Sequence, residues 1–277
     1  MEYDKDTVSE ILLEQYVCIF KERIIVAFFY SFDRMVILYD EESPLKDKFI
    51  EFGKQYIIKE EAAQISLIVI EHNNLNMRSF PVKTLELKIE SHYNDDFLPV
   101  HERIFEGLCR DKENGLVLLH GKPGTGKTSY LCYLTSVLKK KLFFVPVNVF
   151  PQLNNPDFMS FLYDNSNSIM IIEDAENLII ERGSFNQDSV SFLLNLTDGL
   201  LSDCINIQVI CSFNTDLDKI DKALLRKDRL IANYHFPGLS LDKTKALAKN
   251  IGYTKEIDKP MTLSEIYILN EEEHNHI

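Results

Sequence analysis

The sequence predicts an α/β protein built on a parallel sheet flanked by helices, with an N-terminal α+β module and a small helical C-terminal segment. Three observations predict it. Five short apolar runs, Leu116 to Leu119, Leu142 to Val147, Ile169 to Ile172, Ile207 to Ile210 and Ala232 to Phe236, alternate with segments of helical spacing. Apolar strands without polar alternation belong to a sheet covered on both faces. The first run leads straight into a glycine-rich octet and then a helical stretch, and the third delivers two adjacent acids at its carboxyl end, the edge where an open parallel sheet holds ligands.

Residues 1–92 carry mixed patterns and no chemical motif, so they are read as one α+β module of unknown role. Thr7 to Phe20 has helical spacing, Ile24 to Tyr39 is β-branched and aromatic, and Leu45 to Lys59 fits either state. Gln64 to Glu71 and Val82 to Glu90 look like strands. The polar loop Ser91-His-Tyr-Asn-Asp-Asp96 is the expected boundary, with the parallel-sheet domain over 93–238. Residues 239–277 leave room for helices near Leu241 to Asn250 and Leu263 to Asn270, a short lid, followed by a frayed polar tail from Asn270.

Composition narrows the function classes. With 277 residues, 45% hydrophobic and 26% charged, the chain can bury a substantial core. The formal charge of −13 is shared by both halves, −7 over Met1 to Asp95 and −6 over the remainder, which weighs against a nucleic-acid partner. No apolar run approaches the roughly 20 residues of a membrane span. The acidic start Met-Glu-Tyr-Asp-Lys-Asp does not resemble a targeting peptide, so a cytoplasmic location is expected. Five scattered cysteines without a C-x-x-C pair suggest neither a disulfide framework nor a zinc site.

The octet is Gly121-Lys122-Pro123-Gly124-Thr125-Gly126-Lys127-Thr128, followed by Ser129. It matches G-x-x-x-x-G-K-[ST] in the strand-to-helix context that the mechanism needs. Its backbone N–H groups converge on phosphates, Lys127 supplies a cation, Thr128 offers a hydroxyl to Mg²⁺, and the helix start favours the anion. Nucleotide binding follows; hydrolysis does not follow from the loop alone. Glu173-Asp174 ends the strand Ile169 to Ile172, and such a pair can hold Mg²⁺ with one acid and activate water with the other. Asn214 ends Gln208-Val-Ile-Cys-Ser-Phe-Asn214, and Arg226 and Arg229 lie in Leu224-Leu-Arg-Lys-Asp-Arg-Leu230. Taken singly, an asparagine there is a turn former and two arginines are a solvated helix end.

Together, Gly121 to Thr128, Ile169 to Asp174, Phe213-Asn214 and Ala223 to Arg229 resemble the AAA family of ring-forming P-loop ATPases. The nearest likeness is to the branch of the mitochondrial Rieske-protein translocase, the bc1 complex assembly chaperone, without its membrane anchor. The Glu-Asp order, Phe192-Leu-Leu-Asn-Leu-Thr-Asp-Gly199 and the lack of an aromatic pore loop after the second strand carry that likeness. The resemblance implies ATP and Mg²⁺ as ligands, with Thr128 and Glu173 on the metal side, Asp174 as the catalytic acid and Asn214 as sensor 1. It also implies that Arg226 and Arg229 are fingers acting in trans within a hexameric or heptameric homo-oligomer that remodels a protein client. Lys227-Asp228 replace the family's Pro-Gly, and no basic residue occupies a sensor-2 position. A nucleotide-gated interaction protein with little turnover is the alternative expectation, and a DNA-associated role a weaker third.

Overall fold

The computed structural model describes residues 15–20, 24–29, 34–55, 64–71, 74–82, 87–147, 149, 156–179 and 187–274. The chain forms two compact units, Met1–Glu60 and Glu61–Ile277. In the first, β1 (Gln15–Phe20), β2 (Ile24–Phe29) and β3 (Arg34–Tyr39) make an antiparallel three-stranded sheet, followed by α1 (Lys46–Gln55). Helical spacing fails over Gln15–Phe20, where β-branched and aromatic residues pair residue by residue with β2. Thr7 to Glu14 lie outside the described residues.

The second unit begins with β4 (Gln64–Glu71) and β5 (Asn74–Pro81), then α2 (Ile89–His92) and α3 (Phe97–Cys109). Next come β6 (Gly115–His120), α4 (Lys127–Val137), β7 (Leu142–Phe144), α5 (Pro156–Asp164), β8 (Ile169–Ile172), α6 (Glu176–Ile179), α7 (Gln187–Thr197) and α8 (Leu200–Ile205). β9 (Gln208–Phe213), β10 (Leu230–His235), α9 (Leu241–Asn250) and α10 (Leu263–His274) complete it. The seven strands are ordered β10-β6-β9-β8-β7-β4-β5, and every pairing is parallel except the β4–β5 hairpin.

This arrangement explains the unalternating strands. Side chains of successive residues point to opposite faces, and both faces are covered. Leu116, Leu118, Met170, Ile172, Val209 and Cys211 fill one core with Phe158, Val190 and Leu193. Val117, Leu119, Ile169, Ile171 and Ile210 fill the other with Ile104, Leu108, Leu131 and Leu134. The α/β class is therefore as expected.

Three expectations about the borders change. β4 pairs with β7 through Ser66–Phe143 and Leu67–Phe144, so the hairpin belongs to the large sheet and the break in the chain falls at Glu60/Glu61, not at Ser91 to Asp96. That loop is tied down: Asn94 Nδ2 donates to Gly238 O at 3.1 Å and Asn94 Oδ1 accepts from Ser240 N at 2.9 Å. Much of the strand expected over Val82 to Glu90 lies outside the described residues, and a strand that was not expected runs over Asn74–Pro81, where Leu75 and Met77 pack against the core on alternate positions. Ile89 and Glu90 open the short α2 instead. The lid has the two expected helices, but the second continues through His274 rather than fraying at Asn270. No helix among the described residues is long and apolar enough to cross a membrane.

Beneath the carboxyl edge of β6 lies an aromatic cluster centred on Phe97, which is fully buried. Its ring centroid is 4.9 Å from Tyr93, 4.9 Å from Tyr130, 4.6 Å from Tyr234 and 4.9 Å from Phe236. These rings join α3, α4 and β10 under the glycine-rich loop. Replacing Phe97 by Ala is expected to cost about 3–5 kcal/mol, the range for emptying a buried phenylalanine site, measured as the shift in urea-unfolding midpoint of the full chain.

Candidate nucleotide site

The loop between β6 and α4 turns through two glycines in the left-handed region, Gly124 at φ +80° and Gly126 at φ +96°. Both are also short of space. A Cβ on Gly124 would fall 2.1 Å from Ser264 Oγ, and one on Gly126 would fall 2.4 Å from Leu263 Cδ1. The start of α10 thus lies directly on the loop, and Ser264 N donates to Gly124 O at 3.0 Å. From the other side, the buried Tyr93 hydroxyl donates to Gly126 O at 2.9 Å. Thr125 Oγ1 closes the turn on Lys122 O at 2.8 Å.

Lys127 is 8% exposed. Its ammonium donates to Gly121 O at 2.7 Å, Lys122 O at 3.0 Å and Asn214 Oδ1 at 2.8 Å. Burial draws its pKa below the ordinary lysine value, opposed by the carboxylates of Glu176, Asp174 and Glu173. Thr128 Oγ1 donates to Glu173 Oε1 at 2.6 Å, which brings together the hydroxyl and carboxylate read from the sequence as a metal pair.

The parallel register places these groups side by side. β8 and β9 flank the site because β6 pairs with β9 and β9 with β8, so Glu173, Asp174 and Asn214 emerge at the same edge as the loop. Asn214 spans the gap, since its Nδ2 donates to Asp174 Oδ1 at 3.4 Å while Oδ1 accepts from Lys127. Asp174 has φ +53°. Aspartate is several-fold enriched among non-glycine residues in that conformation, which supplies a backbone reason for Asp in the second place of Glu173-Asp174.

The two arginines part company. Arg229 donates from Nε and Nη2 to Asp198 Oδ2 at 2.9 and 2.6 Å, and from Nη1 to Ala223 O at 2.7 Å. It braces the turn after α7 within its own chain. Arg226 is exposed and has no side-chain partner among the described residues. Leu116 N donates to Arg229 O at 2.8 Å, so both arginines sit at the amino end of β6 while the phosphate loop leaves its carboxyl end. Six residues at about 3.3 Å each span roughly 20 Å, beyond the reach of a side chain. Neither arginine serves the nucleotide loop of its own chain.

A cleft of about 800 Å³ opens over the loop. Beyond Lys127, Thr128, Ser129, Asp174 and Asn214, its walls include Leu87, His92, Leu263 and Tyr267. His92 Nε2 and Tyr267 Oη are hydrogen-bonded at 3.0 Å, with ring centroids 6.5 Å apart and nearly parallel. Nothing in the local sequence marks these residues, which come from two segments about 175 positions apart. Pro123 and Gly124 also line the cleft.

With this geometry in place, comparison with known proteins is informative. Residues 117–237 match the family described as "ATPase family associated with various cellular activities (AAA)". Over that stretch, less than half of the chain, the sequence is similar to AAA domains. Among curated relatives, the AAA-ATPase At3g28610 of Arabidopsis thaliana is 30% identical over 156 residues, covering 48% of this chain and 32% of the relative. Protein HYPER-SENSITIVITY-RELATED 4 of the same plant is 30% identical over 156 residues, covering 50% and 27%. AAA-ATPase At5g40000, also from Arabidopsis, is 28% identical over 174 residues, covering 56% and 37%. The chain spans about a third of the length of these relatives. Nucleotide binding at the glycine-rich loop accords with that similarity.

His120 immediately precedes the loop. It is 6% exposed, its Nδ1 has no hydrogen-bond partner among the described residues, and its ring stacks on Phe213 at 5.5 Å with His235 at 5.0 Å. Burial first, and His235 second, push its pKa down from 6.5 to about 4. A histidine with a lowered folded pKa takes up its proton more readily when unfolded. Stability is therefore complete above about pH 6.5 and is lost as pH falls toward 4, by up to about 3 kcal/mol. Replacing His120 by Phe is expected to flatten that acid limb in urea titrations at successive pH values.

Proposed function

We propose that the chain binds Mg²⁺-ATP in this cleft and hydrolyses it to ADP and phosphate. The observation that carries the reading is the bridge of Asn214 between Lys127 and Asp174, which sets a cation suited to phosphate and a carboxylate on either side of one amide. The triphosphate lies on the backbone of Gly121–Thr128, its β and γ oxygens accept from Lys127, and the base enters the side lined by Leu87, His92 and Tyr267. The Thr128 hydroxyl and Glu173 carboxylate are hard oxygen donors suited to magnesium and would hold it at this place. When bound, Mg²⁺ neutralises charge on the phosphate oxygens.

Asp174 accepts a proton from the attacking water, and the Asn214 amide orients that water. The new P–O bond forms as the bond to the β,γ-bridging oxygen breaks and ADP leaves. Arg226, exposed and remote from its own loop, supplies the positive charge that a phosphoryl transition state requires to a second copy of the chain. Assembly is then a condition for turnover, and a homo-oligomeric ring acting on a protein client is the corresponding whole-protein function. The Glu-Asp order favours the branch likeness to the Rieske-protein translocase. The short Asp174 side chain on a left-handed backbone also favours a second reading, a nucleotide-gated interaction protein with slow turnover.

Phosphate release by the purified full chain separates these readings. Lys127→Ala is expected to abolish nucleotide binding. Asp174→Asn is expected to keep binding while lowering turnover by about 10²–10⁴, the usual worth of a general base. Arg226→Ala is expected to leave binding intact and lower turnover by about 10³ or more. Tight binding and assembly without any phosphate release would favour the interaction protein, and equal activity in all four proteins would remove the site assignment.

A further inference from the structure

A third carboxylate stands at the site besides Glu173 and Asp174. Glu176, the first residue of α6, accepts the backbone N–H of Asn214 through Oε1 at 2.5 Å. The residue between, Ala175, donates its backbone N–H to Ser212 O at 2.9 Å and is fully buried. The turn after β8 and the tip of β9 are thus fastened by two bonds, one from backbone to backbone and one from a side chain. Of these, only the Glu176 bond lands on Asn214 itself. Among the carboxylates that act on the buried Lys127 ammonium, Glu176 has the largest influence.

We infer that Glu176 is a positioning residue for the proposed ATPase reaction. By gripping the Asn214 backbone it fixes where the side-chain amide of Asn214 spans Lys127 and Asp174. The inference rests on the reading of this cleft as an ATPase site. Its chemistry is specific. Asn214 follows the last residue of β9, where the backbone enters a loop and no ladder partner among the described residues holds it. A side-chain amide can present its oxygen to Lys127 and its nitrogen to Asp174 only if its Cα is held in place. Glu176 supplies an acceptor oxygen at the required reach from the first residue of α6, two positions after Asp174. The carboxylate that takes the proton and the amide that orients the water are thereby kept in one frame.

The test uses the full chain with Glu176→Ala, Glu176→Gln, Glu176→Asp, Asn214→Ala and the double variant Glu176→Ala/Asn214→Ala. Glutamine keeps an oxygen at the same reach, whereas aspartate keeps the charge but withdraws it by one methylene. Glu176→Ala and Glu176→Asp are expected to lower kcat about 10-fold to 100-fold with KM changed less than about 3-fold, and Glu176→Gln to recover most of the rate. The double variant is expected to be no slower than Asn214→Ala, because both changes remove the same placement. Should Glu176→Ala fail to fold, Glu176→Asp against Glu176→Gln carries the comparison.

A second readout is independent of hydrolysis. In selectively Asn-labelled protein, the backbone N–H and side-chain NH₂ resonances of Asn214 are expected to move together in Glu176→Ala and Glu176→Asp and to stay near the wild-type positions in Glu176→Gln. If wild type releases no phosphate but these shifts occur, the ATPase reading falls and the positioning role stands. If the side-chain NH₂ is unmoved in Glu176→Ala, or the rate losses of Glu176→Ala and Asn214→Ala multiply, the inference is overturned.

Discussion

An ammonium withdrawn from water needs an acceptor for each of its three protons, and Lys127 finds them in the carbonyls of Gly121 and Lys122 and in the side chain of Asn214. The cost of an unpaired buried charge is several kcal/mol. The lysine therefore cannot be accommodated unless the loop curls back on it and the tip of β9 stands beside β6. Both conditions are met by the strand order. β9 lies between β6 and β8, so the residue that satisfies Lys127 is also the neighbour of the acids at the end of β8. Burial of one cation and the parallel register of three strands thus specify the same arrangement.

The elements around the loop serve that arrangement from three directions. Tyr93 holds Gly126 from below, at the top of an aromatic cluster whose members come from α3, α4 and β10. Leu263 and Ser264 close on Gly126 and Gly124 from above. Thr262 starts α10 as a cap, with Glu265 Oε2 accepting from Thr262 N at 2.7 Å and Glu265 N donating to Thr262 Oγ1 at 3.3 Å. The lid is short, but the position of its second helix is defined by this cap and by contact with the loop.

Much of this was legible in the sequence where chemistry depends on residues close together. Gly121–Thr128, Glu173-Asp174 and Asn214 are each local signals on strand ends, and folding brings them together as their spacing implies. The β5 strand was not legible, because Asn74–Pro81 alternates only weakly and ends in proline, and its pairing with β4 outweighs that weak propensity. The side of the cleft away from the acids was not legible either. Leu87, His92 and Tyr267 become neighbours only when α10 returns across the loop, a contact made between segments that local patterns treat separately. The Asp198–Arg229 pair was hidden for the same reason, and without it the two arginines look equivalent.

The pairing of β4 with β7 also bears on where this domain begins. Matched family residues start at 117, and a fragment starting at 93 would retain every residue of the cleft except Leu87 and His92. It would also strip a hydrogen-bonded neighbour from β7, uncover the core around Ile68, and leave a short apolar strand open to any other chain able to add to it. A cut at Glu60 removes none of those pairings. The smallest piece that keeps β7 paired on both sides is accordingly larger than the segment bearing the motifs, because it includes a hairpin that contributes no residue to the cleft.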